Sequence, residues 1–149
     1  MRGLLRYGRW VMWVALLLLP SAACAADDIV VIVHRDNGIQ ALSRPQLIDV
    51  YMGRLRRLAD DRPVVPFDYP ADAAIKTEFY RLLAGRSLAQ INAYWARLLF
   101  NGSAAPPRQL GNASEVVATV AGNRLAIGYV YANEVTDSVK IVARLSADP

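Results

Sequence analysis

The sequence predicts a single α/β domain, because segments that favour strands alternate along the chain with segments that favour helices. Two further observations support one domain rather than several. The length of 149 residues suits one domain, and no internal repeat, low-complexity tract or linker divides the chain. We therefore expect a sheet with helices packed against it.

The first 25 residues predict a secretory signal peptide. Arginines at positions 2, 6 and 9 form a positively charged start, the run Trp10–Leu19 is uninterruptedly apolar, and Pro20 and small residues follow it. This run is about half as long as a helix that crosses a bilayer, so a permanent membrane span is not expected. Cleavage after Ala25 would leave one domain over residues 26–149.

Cys24 is the one ambiguous residue of this leader. Ala23 and Ala25 are small residues at the two positions that a signal peptidase reads, and cleavage after Ala25 removes the only cysteine. The alternative is a lipoprotein with Cys24 as its acylated first residue, but Ser21 stands where such signals usually carry leucine. In either case the folded part contains no disulfide, so its stability must come from its core.

Charge and composition exclude several functions. Of the 17 basic residues, three precede position 10, which leaves 14 basic against 13 acidic residues in the rest of the chain. A domain this close to neutral attracts polyanions weakly, so nucleic-acid binding is not expected. With one histidine, no cysteine after cleavage and no glycine-rich phosphate loop, GxSxG or HExxH motif, we predict no catalytic residues, no metal site and no cofactor.

The first half of the domain predicts a strand, a helix and a second strand. Ile29–Val33 is a continuous β-branched run, which is typical of a strand covered on both faces. Ser43 is expected to cap a short helix that ends at Gly53, and Val64–Phe67 to form the next strand.

The middle of the domain predicts a loop and two helices. The loop Asp68–Asp72 is followed by apolar residues at helical spacing over Ala73–Leu83, and Gly85 ends this helix. Ser87 is expected to cap the next helix, in which Tyr94 and Trp95 face the core.

The last third predicts one short helix and two strands. After the loop Asn101–Pro107, Ser114 is expected to cap a helix that Gly122 closes. Leu125–Tyr131 and Val139–Val142 are predicted strands, and Gly128 within the first of them allows a helix to pack closely.

Two segments resemble phosphate-binding proteins of ABC importers, which are type 2 periplasmic binding proteins. The segment Leu42–Arg57, with Ser43, Leu47, Tyr51 and Gly53, resembles their SxxxLxxIFxGxxxxW segment. The segment Ser114–Val130 is similar to their S…EV…V…NPGAIGYV stretch through Glu115-Val116-Val117, Val120, Asn123 and Ala126–Val130. The resemblance covers nearly the whole mature chain but only about half of a full, two-lobed binding protein.

This resemblance implies a fold and a function. The fold would be a single three-layer lobe, with a mixed sheet of about four to five strands flanked by helices. The function would be periplasmic binding of phosphate or a similar small oxyanion for an ABC importer, and a homodimer is one way to close the site. The alternative is a degenerate lobe that acts as an envelope protein-interaction or accessory module without a small-molecule ligand.

The resemblance also implies candidate ligand contacts. The family holds phosphate at a loop of Ser-Gly-Thr type at a helix N-terminus, but the matching loop Asp68–Asp72 has no serine, threonine or glycine. Asp72 is expected to cap the helix and to oppose an anion, and Asp68 to be a turn residue, whereas Lys76 and Thr77 lie one turn further along.

Three further candidates lie elsewhere in the sequence. His34 and Asn37 follow the first strand at its carboxyl end, where open α/β sheets place ligands. Tyr129 belongs to the second resembling segment. The complete set of candidate contacts is therefore His34, Asn37, Asp68, Asp72, Lys76, Thr77 and Tyr129.

Overall fold

A computed structural model of the chain describes residues 28–58 and 60–146. The predicted signal peptide 1–25, its cleavage site and Cys24 lie outside these residues. Five strands form one sheet: β1 Ile29–His34, β2 Val65–Asp68, β3 Arg108–Gln109, β4 Ala126–Tyr131 and β5 Val139–Leu145. The four α-helices are α1 Arg44–Tyr51, α2 Ala74–Ala84, α3 Leu88–Phe100 and α4 Ala113–Gly122, and a short 3-10 turn spans Ala132–Glu134.

The sheet is mixed, with the strand order β3-β2-β4-β1-β5. β2 runs parallel to β3 and β4, whereas β1 runs antiparallel to β4 and β5. Ile29 of β1 pairs with Tyr131, and Val33 pairs with Ile127. The carboxyl ends of β2 and β4 therefore lie at one end of the sheet, and the carboxyl end of β1 lies at the opposite end.

Consecutive residues of β4 show how the helices are layered. Tyr129 stacks on Phe79 of α2, with 3.7 Å between ring centroids. Gly128 faces α4, where a Cβ atom would come within 2.7 Å of Val116 Cγ1. Because neighbouring strand residues point to opposite faces, α4 covers one face and α1 and α2 cover the other. This is the predicted three-layer α/β arrangement, and the predicted close approach at Gly128 is confirmed.

The core is centred on β1. The five residues Ile29–Val33 are each 0% or 1% exposed, which confirms a strand covered on both faces. Trp95 is also buried, and Tyr94 is half-buried with its hydroxyl donating to the Met52 carbonyl at 2.7 Å. Both residues belong to the packing of α3, as predicted.

The helix caps are mostly those that the sequence predicts. Ser43 and Ser87 begin α1 and α3, each in a capping box with the glutamine three residues later. Gly85 ends α2 in the left-handed conformation. The predicted cap Ser114 is wrong, because Asn112 Oδ1 accepts the amide of Glu115 at 2.9 Å and starts α4 earlier.

Three details of the sheet differ from the predictions, and one of them is that β5 extends to Leu145 instead of ending at Val142. β2 begins at Val65 and continues through Asp68, so that residue ends a strand and does not open a loop. β3 was not predicted and pairs in parallel with Phe67 and Asp68. Two residues are too few to show the alternation by which a strand is recognised in a sequence.

Candidate functional site

A buried charge pair lies at the carboxyl end of β2. Lys76 Nζ lies 3.0 Å from Asp68 Oδ2, and the residues are 5% and 3% exposed. Extending the β2–β4 register by two residues sets Asp68 beside Tyr129 on the face covered by α2. Lys76 belongs to the first turn of α2, which follows β2 directly in the chain. The topology therefore brings Asp68, Lys76 and Tyr129 together.

The Asp68 carboxylate is fully supplied with hydrogen-bond donors. The Tyr129 hydroxyl donates to Oδ1 at 2.5 Å, the Tyr80 hydroxyl to Oδ2 at 2.9 Å, and the Tyr69 amide to Oδ1 at 2.7 Å. Lys76 Nζ also donates to the Tyr69 carbonyl at 2.9 Å. A buried ion pair is tolerated only with such additional hydrogen bonds. We call Asp68, Tyr69, Lys76, Tyr80 and Tyr129 the buried polar cluster.

The tyrosines of the cluster remain protonated donors. Burial raises the pKa of the Tyr129 and Tyr80 hydroxyls well above their ordinary value of 10.0, and the neighbouring Asp68 carboxylate raises both further. Burial likewise raises the pKa of Tyr51, which packs edge-on against Phe79 with 4.8 Å between ring centroids. Among the described residues, the buried Tyr51 hydroxyl has no hydrogen-bond partner.

The amino end of α2 lies directly after this cluster. Ala73 occupies the N-cap position and makes no side-chain cap bond, so the predicted capping role of Asp72 is wrong. The Ala73 amide donates to the Pro70 carbonyl at 3.1 Å, and this turn delays the helix start by one residue. The first amides of α2 are therefore not capped by any side chain and can donate to an anion.

The surroundings of this helix end are open. Asp72, Ala74 and Thr77 are exposed, whereas Lys76 is committed to Asp68 and Tyr69. Of the predicted contacts in this region, Asp72 and Thr77 remain accessible, and Asp68, Lys76 and Tyr129 are inside the fold. The available donors are backbone amides, since the predicted lysine is engaged elsewhere.

His34 and Asn37 lie at the other end of the sheet. The His34 Nδ1 atom accepts the Asp36 amide at 3.0 Å, and Asn37 Nδ2 donates to the Arg124 carbonyl at 2.7 Å. Because β1 runs antiparallel to β4, the carboxyl end of β1 is beside the start of β4. These two candidates therefore join neither Asp68 nor the amino end of α2, and their bonds brace the loop after β1.

Sequence reasoning found Tyr129 but missed Tyr69 and Tyr80, the other two tyrosines of the cluster. Tyr80 follows Lys76 by four residues, so both side chains project from one face of α2. The neighbouring Phe79 is buried, which marks this side of the helix as internal. A lysine on a buried helical face requires a buried carboxylate, and that requirement was the available signal.

Neither a metal-binding cluster nor a membrane-spanning helix is found among the residues that the structure describes. No group of three or more histidine, cysteine, aspartate or glutamate side chains within 28–58 and 60–146 could hold a metal ion. None of the helices in that part of the chain is both long enough and apolar enough to cross a membrane.

Solved structures share this fold. The chain superposes on an ABC-type phosphate transport receptor from Vibrio cholerae with a TM-score of 0.62 and 21% identity, over 78% of this chain and 45% of that chain. A chain from Clostridium perfringens, assigned as a phosphate ABC transporter substrate-binding protein and solved with bound phosphate, gives 0.63 and 22%, over 78% and 44%. PstS from Borrelia burgdorferi gives 0.58 and 13%, over 78% and 47%.

These likenesses show the fold. The chain has an α/β fold that matches one lobe of a phosphate-binding protein, and it spans less than half the length of the solved chains it resembles. These neighbours are a transport receptor and binding proteins. No protein-family model matches the chain, and no curated protein matches it in sequence.

Proposed function

We propose that this single lobe is a periplasmic solute-binding domain that holds phosphate or a similar small oxyanion for an ABC importer. The observation that carries the proposal is the uncapped amino end of α2, where Ala73 stands at the N-cap without a side-chain bond. Backbone amides and the positive end of the helix dipole favour an anion there. The fold of the phosphate-binding neighbours supports the same assignment.

The buried polar cluster holds this helix end in place. Lys76, in the first turn of α2, contacts both Asp68 and the Tyr69 carbonyl. These contacts fix the position of the loop between β2 and α2. A preformed set of amides loses little entropy when an anion binds. Backbone donors thereby replace the serine and threonine hydroxyls that the loop 68–72 lacks.

The exposed Asp72 carboxylate would select among oxyanions. It repels a fully ionised anion but accepts a hydrogen bond from a protonated phosphate. Sulfate carries no proton to donate at neutral pH, so we expect it to bind more weakly than phosphate. Since this surface is open, a second copy of the chain is one way to cover the bound ion.

Calorimetric titration of the refolded, phosphate-stripped protein with phosphate and sulfate tests the proposal. The variant Ala73→Asp supplies the missing cap, so it should stabilise the fold by about 1 kcal/mol and weaken phosphate binding at least about tenfold. The control Ala89→Asp adds the same charge to the exposed first turn of α3, and it should leave phosphate binding unchanged. Absence of heat up to millimolar phosphate would reject the proposal.

An exposed apolar pair favours the second candidate function, an envelope protein-interaction module. Phe100 is 92% exposed and Leu99 is 53% exposed at the carboxyl end of α3. Adjacent apolar side chains this accessible are typical of a contact surface. A photo-crosslinking residue placed at Phe100 should capture one defined partner in cells, and the same residue at the exposed Ala118 should not. Repeated failure at Phe100 together with tight anion binding would reject this candidate.

A further inference from the structure

A cavity of about 540 Å³ lies between α1 and α3, away from the amino end of α2. One face of α3 forms its wall through residues at positions 90, 93, 94 and 97, the spacing of a single helical face. Ile48 of α1 and Met52, which follows that helix, also line the cavity, together with Ala84 and Arg86. This volume is within the range of sites that hold organic ligands.

The walls of this cavity are held in place before any ligand binds. The Tyr94 hydroxyl donates to the carbonyl of Met52, the residue that follows α1, at 2.7 Å and thereby links α3 to the end of α1. Gln90 is held by the capping box of α3, in which its Oε1 atom accepts the Ser87 amide at 3.0 Å. Both walls are therefore parts of packed helices joined by hydrogen bonds.

Three arginines line this cavity, and two of them give it a positive charge. Arg54 is neutralised by Asp49, with 2.8 Å between Nε and Oδ1. Arg86 and Arg97 make no ion pair with any described residue, although Arg97 lies over the Tyr94 ring at 5.9 Å from its centroid. Two guanidinium groups are thus available beside a mainly apolar cavity, and each can donate two parallel hydrogen bonds to a phosphate or carboxylate.

We propose that this cavity binds an organic anion: a phosphate or carboxylate group attached to an apolar body. Arg86 and Arg97 hold the anionic group, and Tyr94, Ile48 and Met52 contact the apolar body. The site is separate from the proposed oxyanion site, because the two lie toward opposite ends of α2, about 15 Å apart at 1.5 Å per residue. A ligand of this class would use both the unpaired arginines and the apolar walls of the cavity.

Phenyl phosphate is a suitable probe, because it joins a dianion to a flat ring. Calorimetric titration of the full chain should show that phenyl phosphate binds at least about tenfold more tightly than phenol, which lacks the anionic group. The double variant Arg86→Gln/Arg97→Gln should weaken phenyl phosphate binding about tenfold or more, since charge-assisted hydrogen bonds are lost. The exposed Arg144→Gln serves as the matched control and should retain full binding. Thermal unfolding verifies that each variant is folded.

The Ala73→Asp variant separates this site from the amino end of α2. It should bind phenyl phosphate as tightly as the unmodified chain, and the ligand should shift the amide resonances of Ala93, Tyr94 and Arg97 but not those of Ala74 and Ile75. The proposal is overturned if phenyl phosphate does not bind up to millimolar concentration. It is equally overturned if the double arginine variant binds normally, or if Ala73→Asp abolishes binding.

Discussion

The two ends of α2 use positive charge in opposite ways. At the amino end, Lys76 is 5% exposed and is paired with Asp68 inside the fold. At the carboxyl end, the exposed Arg86 lines a cavity and forms no ion pair with any described residue. The first cation is part of the structure, whereas the second remains available to a ligand. Burial and partners, and not residue type, decide which role a cation has.

Removal of Asp68 should have the largest effect on stability, because it breaks the charge pair at the amino end of α2. Asp68→Ala leaves Lys76 as an uncompensated buried charge, which costs about 3–5 kcal/mol of unfolding free energy. Urea denaturation measures this loss, and Asp72→Ala, at an exposed carboxylate, should change stability by less than about 0.5 kcal/mol.

The double variant Asp68→Leu/Lys76→Met tests the cause of that loss. It should recover much of the stability, because no isolated charge is left inside the fold. If the double variant is as unstable as Asp68→Ala, packing and not charge pairing accounts for the effect.

A single hydroxyl of the buried polar cluster should have the next largest effect. Tyr129→Phe removes the donor to Asp68 Oδ1 and should cost about 1.5–3 kcal/mol, as expected for a hydrogen bond to a charged group. Tyr51→Phe is the matched control, since that buried hydroxyl has no partner among the described residues. It should be neutral or slightly stabilising in urea denaturation. Equal losses in both variants would contradict the assigned hydrogen bond.

Alkaline pH should destabilise the fold more gradually, through its buried tyrosines. Burial raises the pKa of Tyr51, Tyr80 and Tyr129 in the folded protein above the ordinary value of 10.0. Their contribution to stability is complete below about pH 10, and above it only the unfolded chain ionises, so stability falls as pH rises. Each such tyrosine lowers the free energy of unfolding by about 1.4 kcal/mol per pH unit.

Unfolding measured at several pH values above 10 gives this slope directly. Tyr129→Phe should reduce the steepness of this decline by the contribution of one tyrosine. The tyrosinate absorbance of Tyr51, Tyr80 and Tyr129 should rise only as the chain unfolds. Early ionisation of all tyrosines in the folded protein would contradict their burial.

Arg86, which follows α2, and Arg97 of α3 should affect stability least. Arg86→Gln/Arg97→Gln alters exposed groups without ion pairs, so the unfolding free energy should change by less than about 1 kcal/mol in total. Thermal or urea denaturation checks this. A loss of several kcal/mol would mean that these cations, like Lys76, are structural.

The elements of this fold were largely predictable because their signals are local. Ser43 and Ser87 cap their helices through hydrogen bonds to residues three positions away. The β-branched run Ile29–Val33 indicates a buried strand without any knowledge of its neighbours. The sequence predicts the cap of α4 at Ser114 instead of Asn112, since both residues are strong capping types and lie close together.

The candidate site was less predictable because it depends on distant pairings. Tyr129 reaches Asp68 across 61 residues of sequence, and only the β2–β4 pairing brings them together. The sequence predicts His34 as a contact because it follows a strand, but the antiparallel direction of β1 places it at the opposite end of the sheet from Asp68. Strand direction and strand order are properties of the whole sheet, so no local sequence pattern indicates them.

By itself, the sequence determined the α/β class and most element boundaries, because hydrophobic spacing and capping act over a few residues. The tertiary structure alone decided that Asp68 and Lys76 form a buried pair and that the amino end of α2 is uncapped. It also decided that Arg86 and Arg97 share a cavity. The sequence alone does not distinguish a buried charged side chain from an exposed one. Only the neighbours that pack around the side chain determine which state costs less free energy.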